Sequence, residues 1–451
     1  MEKLVKRSFK AVPAMAVAGM LALMSVVGAS AQESVEARLA ALEARIQELE
    51  RELAVARSGG MDATVLPANS PGAPLQGAYL RPAVLTTPGT LAMAAAAAAA
   101  PQADAPDTLG GDLEGLNFFK GITFGGFLDT YYTYNVNQPP SGKVGLRNFD
   151  FNHNSLTLNQ ADFEMTKAVS ESSPLGFNLQ MAFGPTADWV NSGDYSIGNA
   201  TGAHFMQYYL SGRIPTSRGI TIDVGKFVTQ HGAEVIDNRA NWNYSRGILF
   251  AWAIPYYHFG VRATLPVADT LTLGASLSNG WNNVVDNNGG KTAGFLLSWN
   301  PGPVSFLQNY MVGPEQAGNS DDIRHLFDSL LTVKVGDQVT FLVNYDYGMD
   351  RVGGAHVHWQ GVAAYLRYQP NPKFALTPRF EYFDDRMGFS TGTAQILREF
   401  TLTPEFIISD NLVTRLEWRR DWSNRGVFEV RDAGDDPAVQ HTVGVGLLLK
   451  F

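Results

Sequence analysis

The strongest constraint in this sequence is a two-residue alternation of apolar with polar or small side chains, which recurs from Gly121 to the last residue. It is clear in LGFNLQMAF, GITIDVG, TLTLGASL and QVTFLVNYDY, and in the C-terminal HTVGVGLLLKF. Successive side chains of a β-strand point to opposite faces, so this period indicates strands with one apolar and one polar face. We therefore predict an all-β domain over residues 116–451.

The lengths of the connections between these strands distinguish a barrel from a sandwich. Long connections, with 313–324 and 348–358 among them, alternate with short turns such as PTSRG, NPGP, QPNP and SDN. Outer-membrane barrels have long loops at one end and tight turns at the other, whereas a soluble sandwich has no reason to sort its connections. Eight loops and seven turns predict a transmembrane antiparallel up-and-down β-barrel of about 16 strands, within a range of 14 to 18, with both termini in the periplasm.

The last strand resembles the C-terminal signature of bacterial outer-membrane proteins, which the barrel assembly machinery recognises. Its alternate residues are predicted to face outer-membrane lipid and to form this assembly signal: Val443, Val445, Leu447, Leu449 and Phe451. Pairing of this strand with the strand near Gly121 would close the barrel. Leu448 does not fit, because it is apolar but belongs to the inner set.

The N-terminus has the features of a secretory signal peptide. A basic segment, MEKLVKRSFK, precedes an apolar run and the small residues Ala29-Ser30-Ala31, so we predict cleavage after residue 31 and location in the bacterial outer membrane. This segment holds four of the 34 basic and one of the 43 acidic residues, which leaves the exported chain with a net charge of −12. That acidity argues against nucleic acid as a partner.

Residues 32–57 carry a heptad repeat. Its a and d positions are apolar, and each g position is opposite in charge to the e position five residues later, which favours a parallel coiled-coil oligomerisation helix. The predicted core is Val35, Leu39, Leu42, Ile46, Leu49 and Leu53. Residues 58–115 form a low-complexity Ala/Pro/Gly linker that would span roughly 45 Å as a flexible coil. The coil and linker are candidates for contact with the cell wall.

The inner set of the predicted strands is rich in charge. Charges on the lipid face would cost about 2 to 4 kcal/mol each for Arg or Lys near the midplane, so we place them inside, where 16 strands leave an aqueous channel. The basic candidates for the pore wall are Arg262, Lys334, Arg367, Arg379, Arg415 and Arg419.

The longest connection, 229–257, contains apolar residues that a solvated loop would not need. It resembles the inward-folded constriction loop of sixteen-stranded general porins. We expect Glu234 and Asp237 to face wall arginines, with Arg239 and Arg246 as further constriction candidates. Opposed charges would produce a transverse field that orients polar solutes. An equal alternative is that these pairs are structural salt bridges between loop and wall.

Four segments carry a family resemblance: GKFVTQHGAEVIDN, NYSRGILF, IPYYHFGVR and SNGWNNVVDNNGGKT. They resemble the beta-barrel porin-2, outer-membrane-protein-L-like family, over most of residues 120–451. The resemblance implies an outer-membrane porin and supplies no catalytic residues. The N-terminal coil also resembles those of trimeric porins, which makes a trimer the expected homo-oligomer.

Motifs for catalysis are not convincing in this sequence. There is no HExxH and no nucleophile elbow, and His356 and His358 have no third metal ligand, so we expect neither an enzyme nor a cofactor or metal. The predicted function is a porin for passive diffusion of small hydrophilic solutes or ions. The alternative is an outer-membrane tether or adhesin that uses the barrel as an anchor and the coil and linker to bind the cell wall or a partner.

Deleting residues 32–57 tests the role of the coil. About three heptads are short for a stable isolated coil, so we expect the oligomer of the deletion variant to persist on unheated gels. Loss of the oligomer would instead assign the assembly to the coil.

Overall fold

The computed structural model describes residues 120–192, 202, 204–431 and 436–451. The predicted signal peptide, coiled coil and linker all lie outside these residues. No helix within the described part of the chain is long and apolar enough to cross a membrane.

The described residues form one closed antiparallel barrel, in which each strand pairs with its neighbours along the chain and the first strand pairs with the last. This confirms the predicted sixteen-stranded all-β barrel. The strands are β1 (Ile122–Asn135), β2 (Ser155–Lys167), β3 (Leu175–Phe183), β4 (Phe205–Ile214), β5 (Ile220–Val228), β6 (Tyr257–Ala268), β7 (Leu271–Ser278), β8 (Thr292–Trp299), β9 (Val304–Gln316), β10 (Asn319–Val335), β11 (Val339–Val352), β12 (Ala355–Asn371), β13 (Phe374–Asp385), β14 (Gln395–Ile407), β15 (Leu412–Ser423) and β16 (Val439–Lys450).

Among the described residues, short helical segments lie in the connections. They are α1 (Pro185–Val190), a 3-10 turn (Asn238–Ala240) and α2 (Ile248–Trp252). The last two belong to the connection between β5 and β6, which is the longest connection of the barrel.

The barrel closes where β1 meets β16. Leu128 pairs with Leu449 and Tyr134 with Val443. At the end of the chain, the backbone amides and carbonyls of Phe451 and Gly126 exchange two hydrogen bonds of 3.0 and 3.1 Å. The seam therefore has no unpaired strand edge, as a sheet in lipid requires.

The two ends of the barrel differ in their connections. We call the end where β1 begins and β16 ends the terminal rim, and the opposite end the loop rim. Connections at the terminal rim are short, from the two residues 269–270 to the seven residues 168–174. Most connections at the loop rim are long, for example 136–154, 229–256 and 424–438.

Two connections at the loop rim are much shorter than predicted. Residues 317–318 and 353–354 are two-residue turns, whereas the sequence predicted loops at 313–324 and 348–358. Gly318, Gly353 and Gly354 have positive φ values of 71°, 58° and 86°, the conformation that tight hairpin turns need. β9 to β12 extend further at this rim than the sequence predicts, because the ends of these strands are polar there.

The outer face is apolar and exposed along the whole barrel. In β16, Val443, Val445, Leu447 and Leu449 lie on this face. Phe451, beyond the strand, is also exposed, and its ring centroid lies 5.9 Å from that of Phe163.

Leu448 has a structural role inside the barrel. It is 2% exposed and forms a small buried cluster with Phe127 and Val413, against which Ile407 packs. The apolar residue that did not fit the polar inner set thus packs with apolar residues of β1 and β15 near the terminal rim.

This cluster can be tested by comparing Leu448→Ala with Leu447→Ala. Removing a buried leucine leaves a cavity and typically costs about 2 to 5 kcal/mol, whereas Leu447 faces outward and leaves none. We expect Leu448→Ala to lower the urea midpoint of unfolding more than Leu447→Ala in the same detergent. Equal midpoints would contradict an inner cluster that stabilises the seam.

Candidate functional site: a loop packed inside the barrel

The connection between β5 and β6, residues 229–256, lies inside the barrel, and we call it the inner loop. The sequence predicted it as 229–257, and Tyr257 is instead the first residue of β6. Most of the inner loop is buried, including the apolar segment Ile248–Ala251 and the charged Glu234. Most of its wall partners are inward-facing side chains of β1 and of β9 to β15.

At its start the inner loop is held by backbone hydrogen bonds to the wall. The amide of Gly232 donates to Asp328 Oδ2 at 2.6 Å, and the amide of Ala233 donates to Asn344 Oδ1 at 3.0 Å. Gly232 has a φ of +80°, which favours glycine at this close approach. Nearby, burial and the neighbouring His258 lower the pKa of His231 to about 3.

In its middle the inner loop packs on the closing seam. The Tyr244 amide donates to Glu417 Oε2 at 2.8 Å, and its hydroxyl donates to Asp129 Oδ1 at 2.8 Å. The Tyr244 ring occupies the space that a side chain at Gly446 would need. Burial raises the pKa of Tyr244 well above its usual value, so its phenol stays protonated.

On its return the inner loop forms α2, whose first turn is bound by two carboxylates. The amides of Ile248 and Leu249 donate to Glu381, and the amide of Gly247 donates to Glu234 Oε2 at 2.6 Å. These hydrogen bonds satisfy the open amides of a helix start.

Three predicted wall arginines bind the inner loop. Arg379 contacts Glu234 at 2.6 Å and Glu399 at 2.8 Å, and donates to the carbonyl of Ser245 at 2.7 Å. Arg415 donates to the carbonyls of Asn238 and Asn241, and Arg419 to that of Arg246.

Arg379, Arg415 and Arg419 are all at most 3% exposed, so their charges are covered by the loop. The contact of Glu234 with Arg379 joins two residues that the sequence proposed as facing charges. Both side chains are buried, as expected for a structural salt bridge between the loop and the wall.

Four other predicted site residues have different partners or positions. Arg246 donates to the loop carbonyls of Val235, Ile236 and Tyr244 and does not reach the wall through these bonds. Arg367 pairs with Glu405 at 2.6 Å, and Arg262 pairs with Asp223 at 2.8 Å. Lys334 is exposed near the terminal rim.

The pairing of Asp237 differs from the expectation. Its partner is Arg239 of the inner loop itself, at 2.6 Å, and no wall arginine contacts it among the described residues. Asp237 also accepts a 2.9 Å hydrogen bond from the Arg239 amide, because it caps the 3-10 turn. The short turn brings the carboxylate of Asp237 and the guanidinium of Arg239 together.

Asp237, Arg239, Ala240 and Trp242 are partly or fully exposed, so the inner loop has one free face. Opposite the packed wall, inward-facing side chains of β2 and of β4 to β7 are also partly exposed: Glu164, Gln207, Tyr209, Thr221, Arg262 and Ser276. We call this the open side. The inner loop therefore packs against one half of the barrel interior and leaves a polar surface on the other.

Sequence reasoning missed several residues that hold the inner loop. Tyr244, Glu381 and Glu417 are not among the predicted site residues. A usable signal was present in the wall glycines Gly361 and Gly446. Glycine within a strand often marks a close approach, and here side chains at these positions would collide with Leu249 and Tyr244.

The family comparison agrees with this architecture. Residues 121–451 match the family model described as "Putative beta-barrel porin-2, OmpL-like". The chain belongs to this family. The predicted resemblance is confirmed, and the family and the closed barrel together place the protein among porin-type outer-membrane barrels. No match was found among curated proteins.

Solved porins and outer-membrane proteins have similar folds. The anion-selective porin from Comamonas acidovorans has a TM-score of 0.51 at 12% identity, covering 73% of this chain and 99% of that one. The trimer form of OmpT, an outer membrane protein of Vibrio cholerae, has a TM-score of 0.49 at 13% identity, covering 73% and 99%. The DcaP channel of Acinetobacter baumannii has 0.46 at 12%, covering 73% and 97%. At these identities the likeness concerns the fold alone.

Gly446→Val tests the docking of the inner loop. A valine would occupy the position of the Tyr244 ring, so we expect the loop to be displaced and cleaved faster by protease within residues 229–256. Gly212→Val on β4 is the matched control, because a Cβ at Gly212 meets no atom within 4 Å. Equal cleavage of the two variants would contradict tight packing of Tyr244 against β16.

Proposed function

We propose that the protein is a non-enzymatic outer-membrane porin, which lets small hydrophilic solutes or ions diffuse through its barrel. The supporting observation is the arrangement of the inner loop, which is fixed to β9 to β15 and β1 by buried hydrogen bonds and ion pairs. It leaves the polar side chains of the open side partly exposed. The passage would run between the free face of the inner loop and the open side.

The physical argument starts from the size of the barrel. A sixteen-stranded barrel has an interior too wide for its own side chains to fill, so the interior holds water unless another segment enters it. The inner loop fills part of this space and would narrow the channel to one side. Solutes that pass must exchange water for the polar groups at the constriction, which favours hydrophilic over apolar ones.

We also propose the organisation of the chain that the sequence predicts. Residues 1–31 are a cleaved signal peptide, 32–57 a periplasmic coiled coil, 58–115 a linker and 116–451 the barrel, with both termini of the exported chain in the periplasm. The support is the cleavage-site pattern and the matched charges of the heptads. A trimer is the proposed assembly, with lipid and the barrel assembly machinery as the further partners.

Single-channel recording in planar bilayers tests the channel. We expect purified, folded protein to give stepwise increases in ion conductance, because a hydrated passage conducts ions under voltage. A heat-unfolded sample at the same detergent concentration is the control. Silent bilayers with correctly folded protein would contradict the porin function and favour a tether or adhesin.

A further inference from the structure

The balance of positive and negative charge along the proposed passage differs from the balance in the barrel interior as a whole. This inference rests on the proposed function and concerns the class of solute. Four carboxylates point inward from β1, β2 and β5: Asp129, Asp162, Glu164 and Asp223. Their partners decide how much negative charge the passage meets.

Three of these carboxylates are covered or paired. Asp223 pairs with Arg262 at 2.8 Å. Asp129 accepts hydrogen bonds from Asn159, Asn238 and Tyr244, and Asp162 from Gln160 and Gln180. Both are fully buried. Glu164 differs, because 30% of its side chain is exposed on the open side.

The free face of the inner loop adds a second exposed carboxylate opposite Glu164. The side chain of Asp237 is 28% exposed. Between them lies Arg239, whose Nη2 is 2.6 Å from Asp237 and 3.7 Å from Glu164. The Arg239 guanidinium also stacks 4.7 Å from the centre of the Phe127 ring, which holds it in place. One cation is therefore shared by two exposed carboxylates.

The arginines of the opposite wall do not offset this excess. Arg379 pairs with Glu234 and Glu399, Arg415 with Glu405, and Arg419 with Asp421 and Glu399. All three lie beneath the inner loop and are almost fully buried. Their positive charge is neutralised by the carboxylates beside them, and the inner loop separates it from the open side.

We propose that Glu164 and Asp237, which share the single guanidinium of Arg239, make the channel prefer cations and cationic hydrophilic solutes over anions. A ring of charged side chains at a constriction selects by the sign of the charge. The Debye length is about 8 Å at 0.15 M ionic strength, so the preference is stronger in dilute salt.

Reversal potentials measured across a KCl gradient test this proposal. We expect wild-type protein to give a potassium-to-chloride permeability ratio above one. Glu164→Gln and Asp237→Asn should each bring the ratio closer to one, and the double variant should lower it further. Arg239→Gln should raise the ratio, because it removes the shared positive charge.

Glu164→Gln and Asp237→Asn each keep an acceptor for the local hydrogen bonds. A glutamine at 164 keeps an oxygen to accept from Asn178 and Thr166, and an asparagine at 237 keeps an acceptor for the Arg239 amide. Glu164→Asp preserves the charge and should preserve the preference for cations. Asp321→Asn removes an exposed carboxylate at the loop rim and should leave the ratio unchanged.

The outcomes separate the two proposals. A conducting wild-type channel with a ratio at or below one would overturn the inference and leave the porin function standing. Ratios unchanged in Glu164→Gln and Asp237→Asn would show that other groups set the selectivity. Bilayers that stay silent with folded protein would contradict the porin function itself.

Discussion

The structure depends on the pairing of β1 with β16. In lipid, an unpaired strand edge would expose a row of amides and carbonyls without hydrogen-bond partners, so a spanning sheet must close. The final residue takes part, because the backbone of Phe451 exchanges hydrogen bonds with Gly126. Closure also gives the sheet an outer face, which carries apolar side chains, and an inner face, which carries polar and charged ones.

The polar and charged groups of the inner face need hydrogen-bond and ionic partners, and the inner loop supplies many of them. A loop inside a barrel has amides and carbonyls that its own irregular backbone cannot pair. Here Glu381 and Glu417 accept from its amides, and Arg379 and Arg415 donate to its carbonyls. Wall and loop thus complete each other's hydrogen bonds, and removing one partner would leave a buried group unpaired.

This arrangement has a consequence for function. A count of all charges in the interior would overstate the accessible positive charge, because the arginines of β13 and β15 are covered by the inner loop and paired with carboxylates. In the proposed passage, a solute would meet the few exposed charges on the open side and on the free face of the inner loop. The most exposed of these are Glu164, Asp237 and Arg239, which carry a negative excess, whereas Arg262 is paired with Asp223.

The sequence alone determined the β class and the closing strand, and it predicted about 16 strands and the position of the inner loop, because alternation and turn residues act over short distances. It failed where the outcome depends on distant parts of the chain. The hairpins at 317–318 and 353–354 extend beyond the expected strands, and Leu448 finds apolar partners on β1 and β15. Only the tertiary structure decided that Arg379 lies beneath the inner loop and that Asp237 pairs with Arg239, since the path of the loop brings these groups together.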